Sequence, residues 1–352
     1  MDDGKELVGV KEIARRANVS IGTVDRVLNN RTGVSPKTKA LILDIIKELD
    51  YHPNIWARRL ASRKVLVIAV LIPSASHETD YWRSPLNGIM EAEAEVKPFG
   101  IVIEQYLFDQ NDKASFKVQA KAILKKHVDG VLVAPMFIDE ASKFADDCKN
   151  KHIPYVFINS DIPDRSGLCY IGPDLFRSGS LGAHLISYLV NKNDKILIVN
   201  ISKEIDNLHH LLRKEEGFRD YFESHNLKNP LIKVDIRGTD QEFIKRELTA
   251  ILHKEDIKAM YVSNSRVSSV AAYLTETGRT NIKLIGYDFL EKNVNYLKDG
   301  VIEFLISQKP KEQGYRGIMT LYNHLVHSAN IDKAYYMPID IITKENYLFY
   351  NN

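Results

Sequence analysis

Apolar residues at helical spacing open the chain: Val10, Ile13, Ala14 and Ala17 form one stripe on an otherwise basic stretch. Asn18-Val19-Ser20 interrupts the stripe. Ser20 is placed to cap a second short helix, residues 21–28, whose inner face is Val24, Val27 and Leu28. Ser35 and Pro36 then begin a third helix, in which Leu41, Ile42, Ile45, Ile46 and Leu49 recur at helical spacing. The first two helices, across a tight turn, have the plan of a helix-turn-helix. The pattern changes from Val65 onward. Short apolar runs at 65–72, 130–134, 155–158, 196–199, 260–262, 284–287 and 304–306 alternate with helical stretches near 86–97, 114–126, 140–151, 175–190, 210–225, 240–253, 266–277 and 311–328. Near-continuous apolar strands separated by helices predict parallel sheets covered on both faces. The body is too long for one comfortable core, so two α/β lobes are expected.

Charge divides the chain at the same place. Residues 1–64 carry 13 Lys/Arg against 8 Asp/Glu, whereas the whole 352-residue chain has a net charge of only +2. A basic head on a mildly acidic body points to an anionic partner for the head. No apolar run approaches the roughly 18 residues of a membrane span, and the polar start Met1-Asp2-Asp3-Gly4-Lys5-Glu6 has no secretory pattern. With two cysteines, Cys148 and Cys169, neither a disulfide framework nor a metal cage is expected, and a cytoplasmic setting is the simplest.

The outward face of the second helix carries Ile21, Gly22, Asp25, Arg26 and Asn29, small and polar groups suited to a major groove. After Pro53, the segment with Arg58, Arg59, Arg63 and Lys64 lacks any acid, and it holds Ile55, Trp56 and Leu60 with no obvious core to bury them. In the body, the dinucleotide fingerprint, Walker loop, nucleophile elbow and zinc-protease helix are all missing; Gly179-Ser180-Leu181-Gly182 falls inside a helical pattern. Enzymatic chemistry is therefore not expected, nor a cofactor or metal. His209 and His210 point about 100° apart on a helix and are placed at the surface or beside a cleft. Asp146-Asp147 and Glu215-Glu216 read as solvated faces.

What stands out is polar residues where strands end, the position at which open α/β sheets bind ligands. Asn159-Ser160-Asp161, Asn264-Ser265, Asp288 and Ser307-Gln308 each follow an apolar run, and Tyr81-Trp82 precedes a helix. Amides and a carboxylate bond hydroxyl groups, and an aromatic face covers the apolar face of a pyranose. The combination suits a sugar; two aromatics would also stack a nucleobase.

Residues 10–30 (VKEIARRANVSIGTVDRVLNN), the sequence Tyr51-His52-Pro53-Asn54 and Ala57-Arg58-Arg59-Leu60 resemble the lactose-repressor (LacI) family of bacterial regulators. The resemblance implies an all-α helix-turn-helix headpiece joined by a hinge helix to an α/β two-lobed, periplasmic-binding-protein-like (type I) domain with parallel sheets. By position it marks Ser20, Ile21, Gly22, Thr23, Arg26, Asn29, Ala57 and Leu60 as DNA-binding, Leu60 as a minor-groove wedge. Asp25 stands where the family usually has Ser or Thr; it could accept from a cytosine amino group or pair with Arg26 or Lys11. In the body, Gly286-Tyr287-Asp288 and Gln308-Lys309-Pro310 with Gln313-Gly314 resemble segments of the family's sensor. Tyr81, Trp82, Asn159, Ser160, Asn264, Asp288 and Gln308 fall on ligand-contacting positions, and either Arg213 or Lys214 replaces a ligand arginine three residues before a Gly-Phe pair. The implied domains are residues 1–52 (head), 53–64 (hinge), 65–172 with 305–336 (first lobe) and 173–304 with 337–352 (second lobe). The implied function is a cytoplasmic transcriptional repressor, a homodimer on a palindromic operator of double-stranded DNA, with a small-molecule effector that is a sugar or sugar derivative. Induction and co-repression both fit. A transport-type sugar-binding protein and a regulator sensing a nucleobase-like effector are the alternatives.

Overall fold

The computed structural model describes residues 9–28, 31–49, 51, 65–76, 80–206 and 208–350. The chain forms two compact units, divided between Arg63 and Lys64. The expected hinge at 53–64, with Ala57 and Leu60, lies outside the described residues, as does Asn29.

The first unit is three helices, α1 (Val10–Arg16), α2 (Ile21–Leu28) and α3 (Pro36–Glu48). Ser20 Oγ accepts the Thr23 N–H at 3.1 Å, and Ser35 Oγ accepts that of Thr38 at 3.2 Å, so both expected caps are made. Ile13, Ala14, Ala17, Val24, Val27, Ile42 and Ile45 form the core. Leu41 does not join them; it is exposed, because the inward stripe of α3 runs through Ile42 and Ile45 and Leu41 lies about 100° away.

The second unit contains two six-stranded sheets. Its elements are β1 (Leu66–Pro73), α4 (Arg83–Val96), β2 (Ile101–Phe108), α5 (Lys113–Leu124), β3 (Gly130–Val133), α6 (Ile138–Asn150), β4 (Tyr155–Ile158) and β5 (Cys169–Gly172). There follow α7 (Leu175–Ser187), β6 (Lys195–Ile201), α8 (His209–Ser224), β7 (Leu231–Ile236), α9 (Gln241–Leu252), β8 (Ile257–Val262), α10 (Val267–Glu276) and β9 (Lys283–Tyr287). The last are α11 (Glu291–Lys298), β10 (Phe304–Ser307), α12 (Pro310–His327), β11 (Ala334–Tyr336) and β12 (Asp340–Ile342). The first sheet has the order β11-β5-β4-β3-β1-β2 and the second β12-β10-β9-β8-β6-β7. All pairings are parallel except that of β10 with β12.

Both faces of the second sheet are buried. Leu197, Val199, Met260, Val262, Leu284 and Leu305 pack on one side, and their strand neighbours Ile196, Ile198, Tyr261, Ile285 and Ile306 on the other. A strand with two apolar faces reads as a continuous run, which is why these strands were visible in the sequence. The edge strands β2 and β7 were not, since β2 alternates buried and exposed positions and β7 is only partly covered. The chain passes between sheets three times. The boundary expected at 304/305 runs through β10, which pairs wholly within the second sheet. The passage follows Ser307, and α12 then packs on the first sheet.

One helix pair in each lobe is drawn unusually close. A Cβ on Gly179 of α7 would stand 1.8 Å from the Lys214 carbonyl oxygen on α8, and one on Gly217 of α8 would stand 1.9 Å from that of Phe176. Gly88 on α4 and Gly314 on α12 repeat the arrangement in the first lobe. The backbone approach on α7 sets where Lys214 can place its side chain. Gly179→Ala must push two packed helices apart, and we expect a loss of about 2–3 kcal/mol in urea unfolding of the full chain. A loss below about 0.5 kcal/mol would show that the two helices separate without resistance.

Candidate functional site

The carboxyl ends of both sheets point into one cleft, and the turns that follow the strands supply its polar groups. Asn159 follows β4 and Asp288 follows β9, each with a left-handed backbone, φ 69° and 73°. Asn and Asp tolerate that conformation better than other side chains except glycine, so their presence at these ends is partly a turn requirement. Asn264 follows β8 and Gln308 follows β10. Together with Tyr81, Trp82, Lys214 and residues described below, these line a cavity of about 570 Å³, counting the space open to solvent.

Tyr81 and Trp82 form one wall, ring edge against face with centroids 5.1 Å apart, and both are buried. Tyr81 Oη donates to Asn159 Oδ1 at 2.7 Å, and burial together with the Asp288 charge raises its pKa well above that of a free phenol. Asn264 Nδ2 donates to the Ile201 carbonyl at 2.7 Å, which fixes the amide across β6.

Opposite stand two buried ionic groups, Lys214 at 3% exposure and Asp288 at 5%. No ion pair within 4.0 Å joins them. The Lys214 ammonium lies 3.7 Å from the centre of the Tyr287 ring and donates a long 3.4 Å bond to the Ser263 carbonyl. Asp288 Oδ1 accepts from Gln308 Nε2 at 3.5 Å. Burial lowers the Lys214 pKa and raises that of Asp288, and each charge partly restores the other. Gln308 Oε1 and Gln110 Nε2 are buried without a hydrogen-bond partner. The cavity thus offers a carboxylate, an ammonium, an open acceptor and an open donor, the complement of a small molecule rich in hydroxyl groups.

Seven of the nine ligand positions anticipated from sequence meet here. Ser160 is buried, but its hydroxyl donates to the Asp161 carbonyl at 3.2 Å, away from the cavity lining. Arg213 lies outside as well, in an ion pair with Glu216 and 5.1 Å from the Phe176 ring. Between the two basic candidates, the helical turn of α8 directs Lys214 inward. The sequence reading missed Gln110, Asn111, Ser202 and Arg266, which also line the cavity. Gln110 and Asn111 follow β2, the strand whose alternation concealed it. Glu215, expected on a solvated face, is instead buried and accepts from Asn200 Nδ2 at 3.1 Å, Arg219 at 2.9 Å and Lys233 at 3.2 Å.

The two adjacent histidines divide their tasks. His209 spans the lobes, its Nδ1 3.2 Å from Asp161 Oδ1 and 3.1 Å from the Asp161 carbonyl. His210 lines the cavity, where burial, Lys214 and His209 push its pKa down to about 3. With a folded value below the ordinary 6.5, the unfolded chain binds the extra proton between these limits, so His210 costs stability as pH falls below 6.5. Asp288, shifted upward, works in the opposite direction below its own raised value. Relative to the parent chain, His210→Gln should therefore gain about 1 kcal/mol on going from pH 7.5 to 5.5 in urea unfolding. Parallel pH profiles would mean that the imidazole is open to protonation in the folded state.

In the head, Ile21 is half exposed and Gly22 and Arg26 are exposed on α2, while Thr23 Oγ1 and Ser20 Oγ lie 2.9 Å apart at its start. Asp25 forms an ion pair with Arg31 at 3.4 Å. Arg26 is exposed on the same helix.

Residues 9–54 match the helix-turn-helix of the bacterial regulatory proteins of the lacI family, and residues 68–329 match the periplasmic binding protein domain. Catabolite control protein A of Staphylococcus xylosus is 29% identical over 188 residues, 53% of this chain and 54% of that protein. The chain thus spans about half the length of such curated relatives. A solved chain assigned as a LacI transcriptional regulator of Bacteroides fragilis is 30% identical with a TM-score of 0.75, covering 82% of this chain and 100% of its own. The glucose-galactose binding protein GanP of Geobacillus stearothermophilus shares the fold at 21% identity and a TM-score of 0.72, covering 80% of this chain and 99% of its own. None of the described helices is long and apolar enough to cross a membrane. The head matches the lacI-family model and the two-lobed α/β body with its polar cleft matches the periplasmic binding protein model, and the chain belongs to the lacI family of DNA-binding regulators, with a sensor of the periplasmic binding protein type.

Proposed function

We propose that the chain is a cytoplasmic transcriptional repressor that binds a roughly palindromic operator as a homodimer and responds to a sugar or sugar derivative held in the cleft. The domains divide as head 1–52, hinge 53–64 and two sensor lobes. In this reading Ser20, Ile21, Gly22, Thr23 and Arg26 meet DNA, Arg26 as the main base reader, and Tyr81, Trp82, Asn159, Lys214, Asn264, Asp288 and Gln308 hold the effector. Two-fold symmetry follows from the short reach of one recognition helix, since two half-sites multiply the specificity of one. A ligand that binds the closed cleft more tightly shifts the population of the DNA-competent form by that difference in affinity and no more.

The observation that carries the sugar reading is the buried Asp288 beside the open Gln308 Oε1, opposite the Tyr81–Trp82 wall. Adjacent hydroxyl groups satisfy such acceptors without bringing charge into a desolvated site. The glucose-galactose binding protein shares this fold, which agrees with a carbohydrate in the cleft.

Genomic fragments retained by the purified full-length chain at moderate salt should contain one enriched palindrome beside transport or catabolic genes. Arg26→Ala should abolish that enrichment while keeping weak, salt-sensitive retention of bulk DNA. Equal loss of specific and bulk retention would refute base reading by Arg26, and no enrichment with or without added monosaccharide would refute the repressor.

A further inference from the structure

One buried side chain outside the cavity joins its two walls. Gln313 lies in the first turn of α12, is 1% exposed and does not line the cleft. Its Oε1 accepts the Asn159 N–H at 2.8 Å, and its Nε2 donates to the Gln308 carbonyl at 2.7 Å. Asn159 follows a strand of the first sheet and Gln308 follows a strand of the second. The amide therefore ties a cleft residue of one lobe to a cleft residue of the other, at the point where the chain passes between them. The tie continues on both sides. Asn159 receives Tyr81 Oη at 2.7 Å, and Gln308 Nε2 reaches Asp288 at 3.5 Å. Tyr81, Asn159, Gln313, Gln308 and Asp288 form one hydrogen-bonded chain from the aromatic wall to the buried carboxylate.

We propose that Gln313 is a positioning residue for the effector: it touches no ligand, but it sets the spacing of Asn159 and Gln308 across the lobes. This rests on the reading of the cavity as the effector site. The physical case is that both bonds are short, are made to backbone groups and are shielded from water. Asn159 depends on it most. Its left-handed turn leaves the N–H with one other acceptor, the Ile171 carbonyl at 3.3 Å. Without Gln313 that turn is held by the weaker bond alone.

Gln313→Met keeps the length of the side chain and removes both bonds; Gln313→Glu keeps the acceptor toward Asn159 and removes the donor toward Gln308. In full-length protein, amide exchange followed by NMR should show the Asn159 amide exchanging at least about fivefold faster in the Met variant, with Phe157 and Ile158 in β4 unchanged, and protection restored by Glu. Loss of protection throughout β4 with a lower unfolding midpoint would assign Gln313 a merely structural role, and unchanged Asn159 protection would overturn the tie. For binding, D-glucose, D-galactose, D-ribose and L-arabinose are titrated separately. Any that raises the wild-type unfolding midpoint should lose about tenfold or more in affinity with Met, and less with Glu. Equal affinity in all three proteins would overturn the positioning role. If none of the four binds the wild type, the sugar reading fails, and with it the effector role of Gln313, while the exchange result still decides whether Gln313 holds Asn159.

Discussion

A buried ammonium and a buried carboxylate that do not touch are the constraint around which the sensor is arranged. Lys214 and Asp288 are both nearly inaccessible, yet no ion pair joins them. Removing either charge from water costs several kcal/mol unless partners replace the lost hydration. The partners present are partial ones. An aromatic face and one long hydrogen bond serve Lys214, and one long hydrogen bond from an amide serves Asp288. A hydroxyl-rich molecule lying between the two would offer each group further hydrogen-bond partners.

The remaining structure holds that arrangement in place from behind. Below Lys214, Ser263 Oγ donates to Asn200 Oδ1 at 2.5 Å, and Asn200 Nδ2 donates to Glu215 and, at 2.9 Å, to Asp235. This polar network runs through the carboxyl ends of β6, β7 and β8 and anchors the backbone that Lys214 contacts. The close approach of α7 and α8 fixes the helix that carries Lys214, and the same device in the first lobe joins α12 to α4. The cleft walls are thus set by helix packing as much as by the strands themselves.

How much of this could be read from the sequence follows from burial. Most strands covered on both faces announce themselves as apolar runs, so much of each sheet was legible, and with it the strand ends that line the cleft; β5, fully buried but only four residues long, carries no such run. Edge strands such as β2 and β7, half open to solvent, carry no such run, and Gln110 and Asn111 were lost with them. The head was legible because Ser20 and Ser35 cap helices whose apolar stripes are short and regular. The choice between Arg213 and Lys214 was not, since adjacent residues on a helix differ only in bearing, and the register of α8 against the sheet decides it. The inward bearing of Glu215 is hidden for the same reason. It faces inward because Asn200, Arg219 and Lys233 can satisfy it there, and no local pattern reveals partners so distant in sequence. In the sequence Gln313 stands out only as part of a family segment; that its amide bridges the lobes depends on the passage after β10.

The proposed repressor requires that cleft occupancy and DNA binding be linked. Linkage requires reciprocity: an effector that changes operator affinity by some factor must have its own affinity changed by the same factor when operator is bound. The direct measurement is calorimetric titration of one effector into the full-length protein, free and saturated with operator DNA, beside an operator titration with and without that effector. Two equal ratios, different from one, are the expected result. An effector that binds the cleft with the same affinity whether or not operator is present would contradict it.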